Sequence, residues 1–192
     1  MKQKLIDYFS SISPLSEAEA KAIHDSAVVK EYEKNTVLLK EGQITKNTYF
    51  VFRGLIRQYS LVDGEEKTAA FFTENQWVIS LTGLNEEKVS TFYWVCEEDC
   101  VLLIGNDNSA QDLFKSHPRL ESIARKIVEN TFAEYQQTMM AYLNDTPEQR
   151  YLRLIESRPD LIQRIPQYQL ASYLGVKPES LSRIRKRLAL KR

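Results

Sequence analysis

Hydrophobic positions change their period twice along the chain. The first 27 residues read as short helices: Ser16 followed by Glu19 fits a capping box, with Leu15, Ile23 and Ala27 as an apolar stripe. From about Val28, short runs rich in β-branched and aromatic residues alternate with turn residues. They cover 36–40 (closed by Glu41-Gly42), 49–53 (closed by Gly54), 55–62, 68–72, 77–81, 91–96 and 101–104. Asp63-Gly64 between two such runs predicts a hairpin, since a type I′ turn needs positive φ at both central residues. Many short strands at this spacing predict an antiparallel sandwich or barrel.

Near His117-Pro118 the period becomes helical. Leu120, Ile123, Ala124, Ile127, Val128, Phe132, Tyr135, Met139, Tyr142 and Leu143 recur at threes and fours. Such a stripe either packs on the body's core or pairs with its copy in a second subunit. Its length favours the pairing, with Leu120, Ile127, Tyr135 and Tyr142 as interface positions. Asn144-Asp145-Thr146-Pro147 marks a boundary: Thr146 caps, and Pro147 takes the first helical position, where its missing N–H costs nothing. The helix it opens is expected to stop before Arg158-Pro159.

Residues 167–186 then read as helix, turn, helix. Ala171 is small where two helices cross, Gly175 permits positive φ at the turn, and Leu170, Leu174, Val176, Leu181 and Ile184 supply a buried wedge, with Leu188 one turn on. With Leu181, Ile184 and Leu188 inward at about 100° per residue, Glu179, Arg183 and Lys186 point outward, flanked by Ser182 and Arg187. Arg185 falls at the inward edge, its stem lying along apolar surface. An arginine there can fork onto guanine O6/N7 and a glutamate can accept from cytosine N4. Ser180 and Gln167 are placed to meet phosphates, and Lys177, Lys186, Arg187, Lys191 and Arg192 add sequence-blind attraction. A helical hairpin that merely packs is the bland alternative.

Charge supports that reading once it is divided. The 192 residues carry 26 basic and 26 acidic side chains, yet residues 1–144 are net −6 and 145–192 net +6. A basic tail on an acidic body suits a polyanion partner. Two cysteines and two histidines far apart in sequence, His24 and His117, argue against a disulfide framework, an iron–sulfur cluster, a haem ligand or a multi-histidine metal site. No metal is expected, and no enzyme on a cupin-like barrel. Cys96 and Cys100 flank a short acidic turn and read as small strand residues. The start lacks an apolar leader and no run reaches the roughly 18 residues of a membrane span, so a cytoplasmic protein without a membrane partner is expected.

These features resemble the cyclic-AMP receptor protein / fumarate-nitrate regulator (CRP/FNR) family of transcription regulators. In the body the resemblance rests on Glu41-Gly42, Tyr49-Phe50-Val51-Phe52-Arg53-Gly54, Asp63-Gly64 and Glu98-Asp99. In the tail it rests on Gln169-Leu170-Ala171-Ser172-Tyr173-Leu174-Gly175-Val176 and Pro178-Glu179-Ser180-Leu181-Ser182-Arg183. It implies an α+β chain in three parts. Residues 1–116 form a double-stranded β-helix, a cyclic-nucleotide-binding-like jelly roll with N-terminal helices. Residues 117–144 form a dimerisation helix, and 145–192 a winged-helix-like helix-turn-helix. It also implies a homodimer on near-palindromic duplex DNA, with Glu179 and Arg183 reading bases and RNA polymerase as a further partner. Pro178 stands where the family often has arginine, which implies a different half-site.

The family's phosphate cassette, roughly Phe-Gly-Glu then Arg-Ser/Thr about ten residues on, corresponds here to Val78-Ile79-Ser80 and Ser90-Thr91. Ser80 replaces the acid, Ser90 the arginine, and Ile79 the glycine that admits a phosphate to the backbone. Only Thr91 survives, and Lys88 makes a poor substitute for a guanidinium fork. Ala133-Glu134 stand where the cyclic-AMP receptor offers hydroxyls to the base. The expectation is therefore a degenerate pocket at Ile79, Ser80, Ser90 and Thr91, with no cofactor, cyclic AMP included. Its small-molecule effector is either unidentified or absent. The rival is a ligand-sensing β-roll that regulates a protein partner without reading DNA.

Overall fold

A computed structural model of the chain describes residues 1–45, 47–80 and 89–190. Two compact units divide it: Met1–Gln58 with Phe71–Ala133, and Tyr59–Ala70 with Glu134–Arg192.

The first unit opens with α1 (Lys2–Ile12) and α2 (Glu17–Ser26). Ser16 and Glu19 form the expected reciprocal cap: the Ser16 N–H donates to Glu19 Oε2 at 2.7 Å and the Glu19 N–H to Ser16 Oγ at 3.3 Å. Among the described residues eight strands follow: β1 (Val28–Tyr32), β2 (Val37–Leu39), β3 (Asn47–Arg53), β4 (Ile56–Val62), β5 (Glu65–Phe72), β6 (Trp77–Val78), β7 (Tyr93–Cys96) and β8 (Cys100–Asn106). They form two four-stranded sheets, ordered β1-β8-β3-β6 and β2-β7-β4-β5, the expected jelly roll. Of the run expected at 77–81 only Trp77–Val78 is strand, and Leu81 lies outside the described residues.

Strands β3 and β8 read as continuous apolar runs because both of their faces are covered. Tyr49 pairs with Ile104 and Phe50 with Leu103 in antiparallel register. On one face Phe50, Phe52, Val101 and Leu103 meet Leu5 of α1 and Ile23 of α2. On the other, Tyr49, Val51, Cys100 and Leu102 meet Leu39, Ile56 and Trp94 of the opposite sheet. Alternation along each strand sends successive side chains into the two clusters.

Helices α3 (Asp107–Ser116) and α4 (Pro118–Asn144) complete this part of the chain. The long helix appears where its periodicity placed it, but its stripe has two uses. Leu120, Ile123 and Ile127 are buried with the α1, α2, β3 and β8 side chains of the same chain. Leu120 and Ile127, expected at a dimer interface, are thus corrected to core positions: the stripe's first half covers the open face of the β3–β8 sheet. From Phe132 to Met140 the stripe is bare, whereas Tyr142, expected at the dimer interface, packs against Gly175 and Arg150 of its own chain. Phe132, Tyr135, Met139 and Met140 are 42–54% exposed.

In the second unit, α5 (Pro147–Ser157) begins with the expected Thr146 cap, which Gln149 completes as a box, and Pro147 opens its first turn. Three helices follow: α6 (Pro159–Arg164), α7 (Gln167–Tyr173) and α8 (Pro178–Ala189). Periodicity does not predict α6, a six-residue turn of helix opened by Pro159 and anchored by Leu161. The hairpin turn in this unit has Asp63 at φ 52° and Gly64 at φ 78°, as type I′ requires. Ser172 on α7 ties to that hairpin, its hydroxyl donating to the Glu66 carbonyl at 3.0 Å and accepting the Thr68 N–H at 2.9 Å. Among the described residues after Pro147 there is no strand; the tail consists of α5 to α8.

Candidate nucleic-acid interface

The helix-turn-helix is built on a dry wedge. Leu170, Ala171, Leu174 and Leu181 are 0–2% exposed and Ile184 is buried beside them. Ala171 admits the close crossing, and the turn carries φ +68° at Gly175. Leu188 and Val176 are half-buried, as is Arg185, consistent with a stem laid along apolar surface.

The opposite face of α8 is open. Glu179, Ser182, Arg183 and Lys186 are all exposed, and at about 100° per residue they span one side of the cylinder. Ser180 is half-buried and its hydroxyl accepts from Arg183 Nη2 at 3.3 Å, which holds the guanidinium over the helix's first turn. Lys177 is the N-cap of α8, and Gln167, at the start of α7, is exposed. Glu65 of the hairpin is held below its ordinary carboxylate value, first by a hydrogen bond from Lys67, with the Lys177 charge adding to the effect.

One expected contact is already occupied. Arg187 Nη2 pairs with Glu148 Oε2 of α5, so this cation ties α8 to α5. No local pattern marks this pair, because the two residues lie 39 apart. Lys191 and Arg192 lie outside the described residues.

The expected effector positions lie directly after β6 and directly before β7, on either side of residues 81–88, which are outside the described residues. Ser90 is 1% exposed, and its hydroxyl is engaged locally, donating to the Phe92 carbonyl at 2.8 Å and accepting the Phe92 N–H at 3.2 Å. Its own N–H and C=O bond Gln43 and Gly42. Ser80 is buried, Ile79 half-buried and Thr91 exposed; Lys88 lies outside the described residues. Between the sheets, Trp94 is fully buried, edge-on to Tyr49 and tilted against Phe92, and donates its indole N–H to Gln58 Oε1 at 2.9 Å. Cys96 and Cys100 are buried free thiols. The described residues contain no cluster of three metal-ligating side chains, and no described helix is long and apolar enough to cross a membrane.

Residues 29–117 match the cyclic nucleotide-binding domain family. Among solved structures, FixK2 from Bradyrhizobium japonicum matches with a TM-score of 0.71 at 18% identity, covering 86% of this chain and 85% of that one. The c-di-GMP-responsive global regulator CLP of Xanthomonas campestris matches at 0.69 and 16% identity, covering 92% and 93%. A regulator assigned to the CRP/FNR family from Eubacterium rectale matches at 0.67 and 17% identity, covering 96% and 88%. The fold is that of the CRP/FNR regulators. No curated protein matches the chain significantly in sequence. The CRP/FNR fold unites what the sequence suggested separately: jelly roll, long helix and helix-turn-helix in one chain.

Proposed function

We propose that this chain is a sequence-specific DNA-binding transcription regulator that acts as a homodimer on a near-palindromic site. One observation carries the reading. On α8, Leu181 and Ile184 are buried while Glu179, Ser182, Arg183 and Lys186 share the exposed face. In a major groove Arg183 forks onto a guanine and Glu179 accepts from a cytosine, with Ser180, Lys177 and Gln167 at the phosphates. The bare second half of α4, with Phe132, Tyr135 and Met139, supports pairing of two copies. The pocket is degenerate: the engagement of Ser90 by its neighbours' backbone and the replacement of the cassette's arginine both speak against a cyclic nucleotide.

Selection of binding sites from random duplexes by the full chain, at low ionic strength, tests this. An enriched inverted repeat is expected, with a dimer in sedimentation. A monomer that retains no duplex overturns it and leaves a β-roll that regulates a protein partner.

A further inference from the structure

The turn of the helix-turn-helix is gripped by the end of the long helix. A Cβ placed on Gly175 would collide with Tyr142 Oη and lie 3.1 Å from Tyr142 Cζ, so the phenol fills the space a side chain would need. The Arg150 guanidinium lies 4.6 Å from the centroid of the same ring. It also donates to three carbonyls: Nε to Leu174 at 3.0 Å, and Nη1 to Tyr142 at 3.0 Å and Asp145 at 2.8 Å. Those oxygens belong to two helix ends, α4 and α7, whose last carbonyls lack partners within their own helices. One planar fork thus caps both helices and stacks on the ring that fits the turn. A lysine has no such fork. Arg153 adds a second tie to Asp145 at 2.9 Å.

We propose that Tyr142, Arg150 and Gly175 form a clamp that locks the recognition helix to the end of α4, and that this clamp sets the half-site spacing the dimer accepts. The proposal rests on the DNA-binding homodimer reading. If α4 pairs through its bare stripe, each recognition helix is fixed relative to the pair only as firmly as it is fixed to α4. A single added base pair moves one half-site by about 3.4 Å and turns it by about 35°, given about 10–10.5 base pairs per 34–36 Å turn. A rigid link cannot follow that displacement, whereas a loose one can. Arg150 and Tyr142 are positioning residues here, touching no base.

The test uses the full chain with the selected inverted repeat, the same repeat with its spacer changed by one base pair, and a duplex carrying a single half-site. Wild type is expected to lose at least tenfold in affinity when the spacer changes. Arg150→Gln and Tyr142→Ala are expected to shrink that loss to threefold or less, with the half-site duplex and its base preference unaltered. Variants that keep the tenfold discrimination overturn the clamp. So do variants that weaken every duplex equally, which is the mark of a merely structural role.

A readout without DNA separates this from the parent reading. Spin labels at positions 137 and 163, on chains diluted with unlabelled protein, should give one narrow distance in wild type and a broad one in Arg150→Gln. A broad wild-type distribution refutes the clamp. A narrow one in a protein that binds no duplex refutes the DNA reading, and the spacing role falls with it.

Discussion

Arg187 of α8 is paired with Glu148 of α5. Two cations adjacent in sequence therefore have different work: Lys186 faces outward, and Arg187 braces the helix from behind. Both side chains of the pair keep partial contact with solvent, so the bond is worth about 0.2–1 kcal/mol. Lys186→Ala should lower the slope of log affinity against log salt by about 1, the loss of one phosphate contact. Arg187→Ala should leave that slope unchanged and lower stability slightly. Fluorescence anisotropy across a salt series distinguishes the two, and an equal slope change in both variants contradicts the assignment.

Arg183 is exposed and steadied by Ser180 at 3.3 Å. Arg183→Ala should cost about 1–3 kcal/mol at the selected site and relax preference at one base position. A uniform loss across all sequences would mean that Arg183 meets phosphate, not a base edge.

Glu19 supplies an acid-side stability term. Its carboxylate is held below the ordinary 4.5, chiefly by the Ser16 backbone N–H, and Arg119 adds its charge from 2.9 Å. A depressed carboxylate stabilises the folded state above its unfolded value and loses that contribution as pH falls through the folded one. Stability should therefore decline below about pH 4.5, and Glu19→Gln should decline less steeply there while being less stable at neutral pH. Urea midpoints between pH 3 and 7 provide the measurement.

Trp94 is the largest fully buried side chain between the sheets. Trp94→Ala should cost about 3–5 kcal/mol, from lost burial and the cavity left behind. Gln58→Leu, which deprives the indole N–H of its acceptor, should cost about 1–3 kcal/mol. Similar urea midpoints for Trp94→Ala and wild type would mean that the space between the sheets collapses freely.

Local chemistry made the helices and turns legible. The Ser16 and Thr146 caps, the Asp63-Gly64 turn and the Leu181–Ile184 wedge each depend on residues within a few positions of one another, so spacing alone located them. Three features were not legible, for one physical reason. Leu120 and Ile127 belong to the core because β3 and β8 present an open apolar face beneath them. Arg187 is paired because α8 lies against α5. The space beside Gly175 is filled because Tyr142 of α4 lies against it.

The sequence by itself determined the element types, the jelly roll and the outward face of α8, because hydrophobic period and turn chemistry are local properties. Only the tertiary structure decided which half of α4 is bare, which cation on α8 is paired and what fills the space beside Gly175. Those depend on which surfaces meet, and an apolar or charged side chain carries no local mark of its distant partner.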